Sequence, residues 1–237
     1  MAYTYIPASG YSYGGTRNRS VVEFIVIHYT AGKGDTARNE ANYFRYGNQR
    51  YAGAHFFVDQ HGDVIQSVRM NRIAWSVGGA IWTEEARMGG ASLYNVATNF
   101  NSVSIELCDL VNKAPSDAMI RATRKLVEYI QKKCPNAKTI IRHWDVNGKP
   151  CPATMTGTNN KAWADFRKAI KGEVSYKVKI NRKKIHVRAK PTKKSAHVMY
   201  VYKDGIFTIV RKNSTGKWGK LKSGAGWIYL PYTKKVK

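Results

Sequence analysis

VVEFIVIHYT, residues 21–30, decides the fold. The run is apolar and rich in β-branched residues, and its length suits a buried strand better than a helix. It closes on His28-Tyr29-Thr30, so a side chain able to bind metal or move protons stands at the end of an apolar element.

Downstream, TARNEANYFRYG predicts a short polar helix that stops at Gly47. HFFVDQHGDVIQSV then reads as two short strands around a His61-Gly62 turn, a hairpin. NSVSIELC, residues 101–108, is a further strand. Its alternation puts Val103, Ile105 and Leu107 on one face and Ser104, Glu106 and Cys108 on the other. Glu106 is therefore a carboxylate inside an apolar strand. PSDAMIRATRKLVEYIQKKCP, residues 115–135, has capping residues at its start and apolar residues at helical spacing, and Pro135 ends it. TIIRH predicts a short strand, and NNKAWADFRKAI a closing amphipathic helix. Strands interleaved with helices indicate an α/β domain over residues 1–172.

Beyond a break near residues 171–176 the pattern changes. YKVKI, KIHVR, HVMYVY, IFTIVRK, GKWGKL and GWIYL are short strand-like pieces separated by Lys, Gly and Asn, and they predict a small all-β barrel over residues 176–237. A chain of 237 residues with 43% apolar side chains can build both cores. Charge follows the same division. Residues 1–173 hold 22 Lys and Arg against 14 Asp and Glu, a balance of +8; residues 174–237 hold 18 against 1, a balance of +17, giving the net +25. Such a field draws polyanions: nucleic acid, anionic lipid or anionic wall polymer.

The opening residues carry no basic start followed by an apolar core, and no run is long enough to cross a membrane. The expectation is a protein made in the cytoplasm. Three cysteines, Cys108, Cys134 and Cys151, cannot pair completely, and reduced thiols are expected.

RHWDVNGKPCPA, residues 142–153, otherwise reads as a loop, yet it holds His143, Lys149 and Cys151. If the central strands lie side by side, His28 and His143 approach one another and the loop delivers Cys151. Two imidazoles and a thiolate leave a fourth tetrahedral position for water, as a hydrolytic zinc site requires. Each residue also has a plainer reading: His28 as a strand end, Glu106 as an ion-pair partner, Lys149 as a solvated cation, Cys151 as a free thiol.

IVIHYTAG, GAHFFVDQHGDVIQSV, NSVSIELC and RHWDVNGKPCPA, in that order, resemble the zinc-dependent N-acetylmuramoyl-L-alanine amidases of the type-2 family. That family shares its mixed-sheet fold with peptidoglycan recognition proteins and includes many phage endolysins. The resemblance covers most of residues 20–170. It implies that His28, His143 and Cys151 bind Zn²⁺, that Glu106 is the general base, and that Lys149 stabilises the oxyanion. Family members use Cys or Asp as third ligand; this chain has the thiolate. Some relatives carry a tyrosine where this chain has Ala54, which throws more of the proton transfer onto Glu106. His55 and Trp75 are candidate substrate contacts. His55 has a structural alternative beneath the metal, and Trp75 a packing one.

The basic segment resembles bacterial SH3-like wall-binding domains through its VR-x-x-P segment, Lys203-Asp204-Gly205, GKWGK and GWIYLPY. Its partners would be anionic wall polymers or wall peptide. Basic barrels with exposed aromatics also bind single-stranded nucleic acid, the rival reading. A second rival is a protein that binds peptidoglycan without cutting it. The implied whole is an endolysin, with a bacterial autolysin released by another route as the alternative, that reaches the wall after release from the cytoplasm.

Overall fold

The computed structural model describes residues 3–47 and 49–236. The chain divides into two compact units, Met1–Arg167 and Lys168–Lys237.

The first unit is built on strands β1 (Thr4–Tyr5), β2 (Tyr13–Thr16), β3 (Phe24–Tyr29), β4 (Phe56–Val58), β5 (Val64–Gln66), β6 (Arg72–Ala74), β7 (Ser102–Leu107) and β8 (Thr139–Arg142). Its helices are α1 (Ala37–Asn42), α2 (Thr83–Arg87), α3 (Asp117–Lys133), α4 (His143–Asn147) and α5 (Lys161–Ile170), the last of which runs three residues past the division at Arg167. Six strands form one mixed sheet in the order β1-β5-β4-β7-β3-β8, and β2 and β6 form a small separate ribbon. β4, β7, β3 and β8 run parallel, while β5 is antiparallel to β4. VVEFIVIHYT thus supplies β3, an inner strand with parallel neighbours on both sides. Residues 24–28 are all buried, which is why the stretch is apolar on both faces instead of alternating.

On one face Phe24 and Val26 pack with Val77, Ala97, Ile141 and Val146. α3 buries Met119, Leu126, Val127 and Ile130 along one stripe. It starts where the sequence places it, because the Ser116 hydroxyl accepts the Met119 N–H at 3.1 Å. The hairpin turns at Gly62, whose φ of +87° is left-handed, and a Cβ there would lie 3.0 Å from the Ala118 carbonyl. α1 gives way to one wide π turn, Tyr43–Gly47.

One expectation is corrected. Residues 143–147, read as loop, form the short helix α4. The Arg142 N–H donates to Asp145 Oδ2 at 2.7 Å, and its guanidinium lies 2.6 Å from Asp145 Oδ1. Gly148, at φ +84°, ends the helix left-handed. This local capping lies in polar side chains, which apolar periodicity does not report.

The second unit holds β9 (Glu173–Ile180), β10 (Lys184–Arg188), β11 (His197–Tyr202), β12 (Ile206–Lys212), β13 (Trp218–Leu221), β14 (Trp227–Tyr229) and β15 (Thr233–Val236). They form one seven-stranded antiparallel sheet, ordered β11-β10-β14-β13-β12-β9-β15. Val178, Ile180, Ile185, Val187, Val201, Ile209, Leu221 and Ile228 are its core. β15 is a strand that the sequence reading did not include.

Candidate metal centre and active site

The parallel register builds the site. His28 on β3 stands opposite Glu106 on β7. On the other side of β3, Val26 pairs with Ile141 of β8. Two residues further along, at the start of α4, His143 is again on the same face. Adjacent strands therefore carry Glu106, His28 and His143 as a row at the carboxyl ends of the parallel strands, where open α/β sheets place their ligands.

The turn after α4 adds the third group. Trp144 N–H donates to the Cys151 carbonyl at 3.0 Å, and Gly148 N–H to the Trp144 carbonyl at 3.0 Å, folding residues 148–151 back over His143. Arg142 ties down the chain beyond, donating to the carbonyls of Met155 at 2.6 Å and Gly157 at 2.9 Å. Its guanidinium also lies over the Trp144 ring, 4.4 Å from the centroid.

The ligand-capable atoms of His28, His143 and Cys151 all lie within 4.8 Å of one another. The two imidazole rings are 4.7 Å apart at 63°. Glu106 Oε1 is 3.9 Å from His28 Nδ1. His28 Nε2, both ring nitrogens of His143 and Glu106 Oε2 are buried with no hydrogen-bond partner. Such atoms are costly unless something else satisfies them.

Electrostatics agree with a cation-binding set. Burial lowers His143 to about 3, helped by the Lys149 charge. His28 is lowered well below its usual value by burial, then by His143, Lys149 and His55. Both imidazoles are therefore neutral, the form that ligates metal, and the 3.9 Å approach to Glu106 is not an ion pair. Burial and the Glu106 carboxylate push the Cys151 thiol up, against a hydrogen bond from the Tyr29 backbone and the Lys149 charge. A bound dication reverses that preference and deprotonates a coordinating thiol. Glu106 is pushed up to about 7 by burial, with Lys149 pulling it down.

His28, Glu106, His143, Lys149 and Cys151 line one cavity of about 580 Å³. Trp75 borders it, together with a second cavity of about 550 Å³ that shares His143 and Lys149. Gly14 admits the Trp75 ring, since a Cβ there would stand 2.5 Å from it. The structure does not bring His55 to these walls. It is fully buried, its ring nitrogens 3.0 Å from Ser104 Oγ and 3.0 Å from Arg17 Nη2. That is a structural position, and Arg17 extends it by donating to the carbonyls of Met70, Asn99, Phe100 and Ser102. Asp35 and Glu40 also face the 580 Å³ cavity, and the sequence reading did not single them out. Ala54 is buried, in the core beside Phe57 and Cys108. All three cysteines are unpaired and buried.

A mixed α/β sheet carrying a His/His/Cys triad and a carboxylate at its strand ends defines a hydrolase-like class of site. Residues 17–154, more than half of the chain, match the Amidase_2 family, N-acetylmuramoyl-L-alanine amidase, and the chain belongs to that family. It is 30% identical over 178 residues to N-acetylmuramoyl-L-alanine amidase BlyA of Bacillus subtilis (strain 168), a match covering 73% of this chain and 47% of BlyA. The match thus spans about half the length of that relative. Among solved structures, PlyL superposes with a TM-score of 0.56 at 21% identity, covering 73% of this chain and 100% of that one. A mutant endolysin from Bacillus subtilis gives 0.54 at 18%, covering 72% and 99%. These two share the fold.

Proposed function

We propose that the chain is a zinc-dependent N-acetylmuramoyl-L-alanine amidase, hydrolysing the amide between the lactyl group of N-acetylmuramic acid and the L-alanine of the peptidoglycan stem. The observation that carries this reading is the convergence of His28, His143 and Cys151 within 4.8 Å, with Glu106 beside them. Two neutral imidazoles and a thiolate are a donor set that suits Zn²⁺. Bound there, the ion would acidify a water to a pKa of about 7 and polarise the amide carbonyl.

The chain's own groups do the rest. Glu106, with Oε2 unsatisfied, accepts a proton from the attacking water and returns it to the departing nitrogen, so the C–N bond breaks to give a lactyl carboxylate and a free L-alanine amine. Lys149, whose charge is felt at His28, Glu106, His143 and Cys151, is placed to stabilise negative charge on the carbonyl oxygen. Trp75 borders the substrate. A peptidoglycan-binding protein without activity has no need of Glu106 and Lys149 in this arrangement, which favours catalysis. The second unit, in this reading, is an SH3-like module that holds the enzyme on the wall, as in an endolysin.

Digestion of Gram-positive peptidoglycan, scored for new amino termini and new reducing ends, tests the proposal. Chelator-sensitive release of L-alanine amino termini without reducing ends is expected; tight wall binding with no release would make the chain a recognition protein. Glu106→Gln is expected to retain zinc and lose turnover by about 10²- to 10⁴-fold. Cys151→Ser is expected to lose zinc more readily, measured by metal content after dialysis.

A further inference from the structure

We propose that the outer face of β10 and β11 is the seat of a polyol-phosphate chain of the bacterial wall, gripped by Lys184, His186, His197 and Tyr200. The inference rests on the reading above, in which the catalytic unit works on the wall.

The register makes the patch. Lys184 stands opposite Tyr202, His186 opposite Tyr200, and Arg188 opposite His197 across a bulge. Ile185, Val187 and Val201 point inward to the core, so the alternate residues point out. There the three rings gather, His186 to Tyr200 at 4.7 Å, His197 to Tyr200 at 4.4 Å and His186 to His197 at 4.9 Å. Lys184 Nζ lies 4.5 Å from the Tyr200 centroid. β11 is the outermost strand of its sheet, and it exposes Val198 and Tyr202 beside Lys184.

Charge complementarity identifies the occupant as an anion. From residue 174 onward the sole acid is Asp204, already paired with Lys179 at 3.0 Å. Glu173, the other acid of the second unit, lies 3.7 Å from Lys171, so among the described residues no ion pair neutralises Lys184 or Arg188. Exposed apolar side chains interleaved with Lys and His suit a chain that alternates phosphate with carbon. A nucleic-acid strand would instead need flat ring faces for its bases. Here Lys184 covers a Tyr200 face, and the rings meet at 82°, 55° and 47°, a wall rather than a stack of ledges.

The test titrates the full chain with purified poly(glycerol phosphate), which has no amide to cleave, at physiological salt. Replacing Lys184, His186 and His197 together by Gln is expected to weaken binding about tenfold or more. The control, Lys222→Gln with Lys234→Gln, removes more formal charge from other exposed positions and is expected to change affinity by less than about twofold. Unaltered melting of both variants excludes misfolding. No binding by the unmodified chain, equal loss in the two variants, or tighter binding of a single-stranded oligonucleotide of equal charge would overturn the proposal. Release of L-alanine amino termini from soluble muropeptides reads the amidase separately, so a failure of either idea is recognisable.

Discussion

Glu106 and Glu40 are carboxyls of one cavity held in different states by their surroundings. Glu106 sits near 7, where it can take and return a proton. Glu40 is raised from about 4.5 to about 9 by burial, then by its hydrogen bond to Asp35 and the charges of Asp35 and Glu106, with Thr30 opposing. It is therefore neutral at pH 7. A raised carboxyl binds more protons folded than unfolded between those two values, so its contribution to stability falls as pH rises from about 4.5 through about 9. Glu40→Gln keeps the neutral form at every pH. The melting temperature of that variant should exceed that of the unmodified chain by about 2 °C or more at pH 8, and the two should converge near pH 4, by calorimetry. His28 and His143 could be read from the sequence at strand ends and Glu106 from alternation within its strand, whereas Cys151, in a loop, stands out with His143 and Lys149 in RHWDVNGKPCPA, and the roles given to all of them come from the family resemblance. Asp35 and Glu40 could not be read in this way, since their importance comes from facing a cavity that β3 and β7 enclose with them.

At the level of elements, α4 and its exit matter most. Gly148 holds φ +84°, and a Cβ there would lie 2.9 Å from the Trp82 carbonyl. Gly148→Ala should cost about 1–3 kcal/mol and loosen metal binding by displacing the turn that carries Lys149 and Cys151; thermal melting and zinc titration check the two effects. Ser116→Ala, far from the site, should cost about 1 kcal/mol without altering zinc affinity. The strands and α3 could be read from periodicity, whereas α4 could not. It is one turn long, stabilised by Arg142 and Asp145 and by the packing of Trp144, contacts that exist only once β8 is in place.

Over the whole molecule, charge is divided as unevenly as structure. The second unit carries most of the excess positive charge, so retention on isolated walls should fall steeply as salt rises above about 0.15 M, while release from soluble muropeptides changes little. Sedimentation with the walls and amino-terminus assays measure these separately. The change in strand style beyond residue 172 and the charge imbalance are visible in the sequence. The order of the seven strands is not, because β15 pairs with β9 across more than fifty intervening residues.

The pairing of His28 with Glu106 across β3 and β7 has a last consequence. A slip of β7 by one residue would put Ile105 or Leu107 opposite His28 and turn Glu106 to the other face. The spacing between His28 and Glu106 is thus set by whole steps of the ladder, with no intermediate settings. A misregistered chain would be inert rather than slow, so the specific activity of a preparation counts the molecules whose central strands have zipped correctly.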